Sequence, residues 1–233
     1  MYDFDGILVS LHGHDPGWRG QVAARGDTPE GEEVLWVDGT RTVFPREDLP
    51  RTVLNVNAPP PPPQEWTADD GLALVNYIPV SQGLRFAVHP DHRFDALVDV
   101  VRRSEGRYSV HGEVTSPFDY VLDRYGHKRV LFALLDDPDS VKKALAAVTE
   151  GIAALAGAMC ATGVDAIKIS SPYAGAGFIS PACYVDFVLP YEQKVVAAIQ
   201  QNGVKAYLHT CGAIRDRLLL MIRSGEAGIE CLD

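Results

Sequence analysis

The sequence lacks an excess of basic residues, a long hydrophobic run and a leader-like N-terminus. Its 233 residues include 21 Lys and Arg against 31 Asp and Glu, which gives a formal net charge of −10. Nucleic acids and anionic membrane surfaces are bound through clustered basic residues, so both are disfavoured as partners. No apolar run reaches the roughly 18 residues of a spanning helix, and no basic segment precedes an apolar core as in a signal peptide. We therefore expect a cytoplasmic protein with no nucleic-acid or membrane partner.

Cysteine is also scarce, and nucleotide-binding loops are missing. Four widely separated cysteines in a chain of 233 residues do not form a small disulfide framework. We expect them to be reduced thiols that are either buried or available to a metal. No G-x-G-x-x-G or Walker loop follows a predicted strand, so nucleotide binding has little support.

What is present begins with an N-terminal region rich in turn residues. Residues 5–11 have the pattern of a buried strand, and residues 34–37 and 41–44 flank Asp38-Gly39. Asp-Gly between two strand-like runs is typical of a hairpin turn. The region therefore predicts a first strand followed by a β-hairpin insertion.

Helical and strand-like segments alternate from residue 67 onward. The predicted helices span residues 91–104, 139–161, 181–200 and 213–223, and the predicted strands lie near Leu84 and over residues 108–114, 164–170, 204–209 and 228–232. This alternation predicts right-handed β-α units around a parallel sheet. Polar side chains gather where the strands end, as at the catalytic face of a barrel. They are His12, Glu113, Ser171, His209, Cys211 and Glu230.

The sharpest chemical signal is His209-Thr210-Cys211-Gly212, which directly follows the apolar run 204–208. Side chains two positions apart on a strand point to the same face, so the imidazole and the thiol are expected side by side. Imidazole nitrogen and thiolate sulfur are two of the ligand types that zinc prefers. The alternative is that both residues simply pack at the end of a strand.

Two segments resemble the uroporphyrinogen decarboxylase superfamily. Residues 163–191 read GVDAIKISSPYAGAGFISPACYVDFVLPY, which is similar to the family's strand, its Ser/Asp-rich turn with Ala-Gly, and its Ser-Pro to Pro-Tyr helix. Residues 112–120 are similar to its Gly-x-Pro-Phe-Thr turn and the following Tyr, and residues 228–233 resemble its sixth barrel strand. The resemblance covers residues 105–233 well and residues 3–58 loosely.

The resemblance implies a single domain over residues 1–233 with the α/β architecture of a (β/α)8 TIM-type barrel. We count about six of the eight strands of a closed barrel, near Asp5, Leu84, Tyr108, Val164, Val204 and Gly228. We therefore expect an incomplete barrel. A fragment or truncated gene product is the reading that we favour, and a partner chain covering the open sheet edges is the alternative.

The superfamily includes zinc-dependent methyltransferases that move a methyl group from a corrinoid to a thiol such as coenzyme M. That branch carries His-x-Cys-Gly at the end of its fifth strand, as residues 209–212 do here, and its third ligand is a Cys on the eighth strand, beyond this chain. The resemblance implies Zn²⁺ at His209 and Cys211, a corrinoid carried by a partner protein, a small thiol substrate and, as one option, a homodimer. Cys231 is a weaker third candidate, because only one of Glu230 and Cys231 can face the barrel interior.

The superfamily also includes cofactor-free decarboxylases that act on a tetrapyrrole. Those enzymes hold the macrocycle with an Asp at the end of the first strand, where this sequence has His12. Tyr120 and Ser171 match their Tyr and Ser positions. The missing carboxylate favours methyl transfer, with uroporphyrinogen decarboxylation as the first alternative and an inactive remnant that needs a partner chain as the second.

The remaining candidate residues lie at the predicted barrel mouth. Tyr120, Ser171 and Glu113 are the candidate catalytic residues. Glu113 ends the third predicted strand, where it would be a general acid/base or substrate contact, and a solvated or capping role is the equal alternative. His12 and Tyr173 are the candidate substrate-binding residues.

Overall fold

The computed structural model describes residues 5–53, 65–66, 75–79, 85–87 and 89–231. The strands in these residues are β1 (Gly6–Val9), β2 (Val22–Asp27), β3 (Gly31–Trp36), β4 (Arg41–Pro45), β5 (Arg51–Val53), β6 (Tyr77–Pro79), β7 (Arg85–Ala87), β8 (Ser109–Thr115), β9 (Ala166–Ser170), β10 (Lys205–His209) and β11 (Gly228–Glu230). The α-helices are α1 (Asp95–Ser104), α2 (Pro117–Tyr125), α3 (His127–Asp136), α4 (Pro138–Cys160), α5 (Pro181–Phe187), α6 (Leu189–Gln200) and α7 (Leu218–Met221).

A parallel sheet with strand order β1-β8-β9-β10-β11 organises the chain. Every neighbouring pair in this sheet is parallel, and helices connect β8 to β9 and β9 to β10. Parallel strands in chain order with helical crossovers are the architecture of a TIM-type barrel. The predicted incomplete barrel is therefore confirmed, with five strands in the described part of the chain.

The strand predicted near Leu84 is not part of this sheet. Leu84 itself lies outside the described residues, and β7, which begins at Arg85, pairs antiparallel with β6 in a separate two-stranded sheet. A short apolar run predicts a strand but not the partner of that strand. As a result, β10 and β11 are the fourth and fifth strands of the described sheet, not the fifth and sixth.

The N-terminal insertion is larger than the predicted hairpin. β2, β3, β4 and β5 form a four-stranded antiparallel sheet, and the predicted hairpin is its β3–β4 pair. The Asp38 carboxylate accepts a hydrogen bond from Thr40 N at 2.9 Å, and Gly39 has a φ of 81°. The Asp-Gly turn thus has the local geometry for which these residue types are preferred.

Two predicted helices are divided or shortened. The helix predicted over residues 181–200 breaks at Val188, which has a φ of −121° and a ψ of −62°, and resumes as α6 with Pro190 in its first turn. Pro190 has no backbone N–H with which to continue the preceding helix, and proline starts helices readily, so a break here is expected. The helix predicted over residues 213–223 is α only from Leu218 to Met221 and continues as a 3₁₀ turn.

α4 is the central helix of the core. It begins after Asp137, whose carboxylate caps it by accepting from Ser140 N, and its buried face packs against α6 and α2. By length and mean hydropathy of 1.4 it is the one helix in the described residues that could cross a membrane, yet 56% of that stretch is buried in the fold. Its apolar composition is accounted for by core packing.

The two faces of β8 show how the sheet separates packing from chemistry. Val110, Gly112 and Val114 are buried on the helix-covered face, whereas His111 and Glu113 are only partly buried on the other. Gly112 is needed for this packing, because a Cβ built there would lie 2.3 Å from Met159 Sδ. The polar face of the sheet is therefore the interior of the incomplete barrel.

We expect Gly13→Ala to destabilise the fold, because a Cβ there would lie 2.1 Å from His92 O, a backbone atom that cannot move aside easily. The free energy of unfolding should fall by about 2 kcal/mol in urea titrations. Gly20→Ala is the matched control, since nothing lies within 4 Å of a Cβ at Gly20, and its effect should stay within about 0.5 kcal/mol. Equal stability of the two variants would contradict the packing described for Gly13.

Candidate functional site

The barrel-interior face carries polar side chains in register across β8, β9, β10 and β11. Glu113 pairs in register with Lys168, and Lys168 pairs with Tyr207. One step further along, Ser170 is in register with His209, and His209 is in register with Glu230. Side chains that alternate along parallel strands in this way meet at the carboxyl end of the sheet.

His209 lies between Cys211 and Glu230. Its Nε2 is 3.3 Å from Cys211 Sγ, and its Nδ1 is 2.9 Å from Glu230 Oε1. The Nδ1 contact is close, although it is not directed as a hydrogen bond. The structure thus brings His209 and Cys211 together as predicted from their spacing, and adds a carboxylate on the opposite side of the ring.

Lys168 is a site residue that the sequence analysis missed. Its Nζ lies 3.1 Å from Glu113 Oε1 and 3.4 Å from Glu230 Oε1, and its side chain is only 11% exposed. The Ser10 hydroxyl donates to the other oxygen of Glu113. A lysine in the middle of the apolar strand AIKIS was the available signal, because a charged residue seldom occupies such a position unless it is paired.

Tyr207 and His111 extend the polar face toward the amino end of the sheet. The Tyr207 hydroxyl lies 3.0 Å from His111 Nδ1, and Ser109 Oγ lies 2.9 Å from His111 Nε2. Burial, together with the negative charges of Glu230 and Glu113, raises the pKa of Tyr207 to about 12. Tyr207 therefore remains a neutral phenol at neutral pH, with His111 as the partner of its hydroxyl.

A buried carboxylate, Asp119, lies behind the site in the first turn of α2. Its Oδ2 accepts from Ser116 Oγ at 2.8 Å and lies 3.3 Å from Ser171 Oγ, while its Oδ1 accepts from Tyr173 N at 3.0 Å. Burial is the main reason why the pKa of Asp119 is raised to about 7, and the charge of Glu192 adds to the shift. The sequence analysis named Ser171 and Tyr173 but missed the carboxylate that they contact.

Glu192 is the second buried carboxylate of this region. Its Oε2 accepts from the Tyr184 hydroxyl at 2.8 Å, and its buried Oε1 has no hydrogen-bond partner among the described residues. Burial raises the pKa of Glu192 to about 7. The negative charge of Glu226 adds to this shift, and both buried carboxyl groups therefore titrate near neutral pH.

Three of the five predicted substrate-binding and catalytic residues line one small cavity next to β8. His12, Tyr77, Glu113 and Tyr120 are among the residues that line it. The rings of Tyr77 and Tyr120 stack with their centroids 4.8 Å apart, and burial raises the pKa of Tyr120 to about 12. Glu113 and Tyr120 are therefore placed as a carboxylate and a neutral phenol beside one cavity.

Ser171 and Tyr173 are not among the described residues that line this cavity, and His12, which does line it, is almost fully enclosed. His12 is 1% exposed, and its Nδ1 lies 3.0 Å from Arg93 O. Burial lowers the pKa of His12, which favours a neutral imidazole. Ser171 lies in the Asp119 cluster, and the Tyr173 ring packs edge-on against His127 and Phe178.

Of Glu230 and Cys231, the structure directs Glu230 into the barrel. Glu230 contacts both Lys168 and His209, whereas Cys231 is exposed and has a φ of 59°. In the described residues, no three His, Cys, Asp or Glu side chains form a group that could hold a metal ion. His209 and Cys211 are therefore a pair of candidate ligands in these residues, and Cys231 lies outside that pair.

Lys168→Met should destabilise the protein, because it leaves the carboxylates of Glu113 and Glu230 close together without their cation. Since Glu230 is 41% exposed, solvent screens part of the repulsion, and we expect a loss of about 2 kcal/mol in the free energy of unfolding. Lys194→Met is the control, because its pair with Glu150 is on the surface and should contribute less than about 0.5 kcal/mol. Equal losses in the two variants would contradict the role of Lys168.

Glu192→Gln should change how stability depends on pH. The folded-state pKa values of Asp119 and Glu192 are both raised to about 7, above the ordinary values of about 4 in the unfolded chain. The folded state therefore binds protons more tightly, and stability falls as pH rises from about 4 to about 7.

The variant removes one of the two titrating groups, so its stability relative to the unmodified chain should increase across that interval. Urea titrations between about pH 5 and pH 8 measure this difference. Glu150→Gln, at a side chain that is 72% exposed, should show no such trend. A difference for Glu192→Gln that does not change with pH would rule out a raised pKa of Glu192 in the folded state.

Comparison with known proteins places this geometry in a family. A family model described as uroporphyrinogen decarboxylase (URO-D) matches residues 87–232. The chain is 37% identical over 77 residues to a methylcobamide:CoM methyltransferase, MtbA, from Methanosarcina acetivorans, which is 33% of this chain and 23% of that protein. It is 26% identical over 117 residues to a uroporphyrinogen decarboxylase from Acidovorax ebreus, which is 48% of this chain and 31% of that protein.

A solved structure shares the fold. A methyltransferase from Methanosarcina mazei superposes with a TM-score of 0.58 at 20% sequence identity, covering 80% of this chain and 50% of that chain. The chain thus spans about half the length of that structure, and its aligned segments cover less than a third of the two curated relatives. Because the family model matches well over half of the residues, the chain belongs to the uroporphyrinogen decarboxylase family.

Proposed function

We propose that this protein acts in zinc-dependent transfer of a methyl group from a corrinoid to a small thiol, with His209 and Cys211 as metal ligands. The observation that carries the proposal is the pair of His209 Nε2 and Cys211 Sγ at 3.3 Å, at the carboxyl end of β10. The similarity to a methylcobamide:CoM methyltransferase supports the same reaction class.

The distance between the two candidate ligands suits one tetrahedral ion. Zinc holds nitrogen at about 2.1 Å and sulfur at about 2.3 Å, so two such ligands of one ion lie about 3.5 Å apart. The 3.3 Å between Nε2 and Sγ is close to that value. Zinc-binding histidines also commonly hold a carboxylate at the other ring nitrogen, and Glu230 Oε1 lies 2.9 Å from Nδ1.

Bound zinc would keep the substrate thiol deprotonated at neutral pH, and the thiolate is the nucleophilic form. The residues of the chain do the rest of the work. Glu230 lies against the Nδ1 side of the His209 ring, and Lys168 lies beside Glu230 with its Nζ 3.4 Å from Oε1. Glu113 and Tyr120 line the adjacent cavity as polar groups that can position a substrate.

A catalytic zinc site normally has three protein ligands and one open position. The described residues supply two that are already in place, so we expect the chain alone to bind zinc with modest affinity. The corrinoid is proposed to be carried by a separate protein, which would dock over the carboxyl ends of the strands where the site lies.

Uroporphyrinogen decarboxylation is the second candidate, favoured by the similarity to the enzyme from Acidovorax ebreus and by Ser171 and Tyr120. At the end of β1, however, stands His12, whose burial lowers its pKa and favours the neutral ring. A neutral imidazole lacks the negative charge with which a carboxylate holds pyrrole N–H groups. The geometry therefore supports methyl transfer better.

Cobalt(II) titration of the full chain tests the metal site. We expect an absorption band from cobalt–thiolate charge transfer that is lost in Cys211→Ser and in His209→Ala. Cys231→Ser is the matched control, because Cys231 is also exposed and lies outside the pair, and it should keep the band. Loss of the band in Cys231→Ser and its retention in Cys211→Ser would overturn the assignment.

The reaction is tested by mixing zinc-loaded protein with methylcobalamin and coenzyme M and following loss of the methyl-cobalt absorbance. Demethylation that requires Cys211 would support the proposal. A chain without metal that instead converts uroporphyrinogen III to coproporphyrinogen would replace it with the decarboxylase.

A further inference from the structure

We propose that Asp119 is a positioning residue for the turn that carries His209 and Cys211, acting through the loop of residues 171–176. The proposal rests on the proposed function insofar as this turn is taken to be the metal site. Asp119 does not contact His209 or Cys211. It fixes the position of the loop against which their backbone packs.

The first step is the contact between Asp119 and the loop. Asp119 is the third residue of α2, and the Ser116 hydroxyl caps this helix by accepting from Asp119 N at 3.1 Å. An acidic residue at this position usually turns back to the capping residue's own N–H. Here Ser116 N donates to Ser170 O instead, and the Asp119 carboxylate reaches across to Tyr173 N and Ser171 Oγ.

The second step is the contact between the loop and the turn. Ser171 N donates to His209 O at 2.7 Å, and Ala176 N donates to Ala213 O at 2.9 Å. Between these two bonds, a Cβ built at Gly175 would lie 2.7 Å from Cys211 O. The loop backbone is therefore hydrogen-bonded to His209 O and to Ala213 O, and between these bonds it packs closely against Cys211 O.

Arg217 holds the far side of the same loop. It is 1% exposed and donates to Ala174 O and to Ile179 O, each at 2.8 Å. The loop is thus fixed by a carboxylate from the preceding β-α connection and by a guanidinium from the following one. With both anchors in place, its position is determined independently of any metal.

The charges around Asp119 explain why this anchor is distinctive. In the described contacts, Asp119 accepts from two hydroxyls and one backbone N–H and has no Lys or Arg partner. Glu192, on α6, is the charged group that faces it, and Glu192 is itself faced by the Tyr184 hydroxyl and by the charge of Glu226. Burying a carboxylate without a cation costs free energy. The hydrogen bonds that Asp119 accepts from the loop offset part of that cost.

Hydrogen–deuterium exchange of the full chain tests the coupling without any metal. Asp119→Ala removes both acceptors, and we expect about tenfold faster exchange in segments 171–176 and 209–213 together. Asp119→Asn keeps an acceptor for Tyr173 N and should restore most of the protection. Asp137→Ala removes the cap of α4, a comparable loss of one helix-capping contact elsewhere in the fold, and should leave both segments unchanged.

Gly175→Ala tests the same coupling from the other end and serves if Asp119→Ala does not fold. The added methyl group displaces Cys211 O, so segment 209–213 should exchange faster while the α2 segment does not change. Cobalt(II) affinity gives a second readout, with about a tenfold loss expected in Asp119→Ala and Gly175→Ala.

Faster exchange in segment 171–176 with an unchanged segment 209–213 would overturn the proposal, as would equal effects of Asp137→Ala on both segments. If the unmodified chain binds no cobalt, the proposed function fails, but the exchange experiment still decides whether Asp119 positions the turn.

Discussion

The parallel register of β8, β9, β10 and β11 is the constraint on which the site depends. Because these strands run in the same direction and end together, Glu113, Lys168 and Tyr207 form one row and Ser170, His209 and Glu230 form the next. A shift by one residue would turn every one of these side chains toward the helices. The apolar face of the sheet, packed against α4, prevents that shift because it would bury the charges.

Within this register, one cation balances two carboxylates. Lys168 lies between Glu113 and Glu230, and Glu230 in turn lies beside His209. Glu230 lies on the Nδ1 side of the His209 ring, and Nε2 on the other side lies near Cys211 Sγ. Lys168 therefore supplies the positive charge beside which both carboxylates lie, and its removal would leave them without a counter-charge.

The sequence predicted those parts of the site that follow from local periodicity. The two-residue spacing of His209 and Cys211 correctly predicted a close pair, and the alternation of β and α segments predicted the parallel sheet. It did not predict Lys168 or Asp119, because their roles depend on partners 52 or more positions away in sequence, such as Glu113 for Lys168 and Ser171 on the loop after β9 for Asp119. Nor could it show that β7 pairs with β6, since an apolar run carries no information about its partner strand.

The Asp119 region and the barrel interior solve the problem of buried charge differently. In the interior, the carboxylates of Glu113 and Glu230 have Lys168 as a counter-charge. Behind the loop, Asp119 and Glu192 have hydroxyl and backbone partners, and burial raises the pKa of both to about 7. Serine side chains and backbone amides are short, and their hydrogen bonds are directional, so they fix the loop backbone more closely than a flexible lysine would. That difference suits a segment whose backbone, through Ser171 N and Gly175, sets the position of two candidate metal ligands.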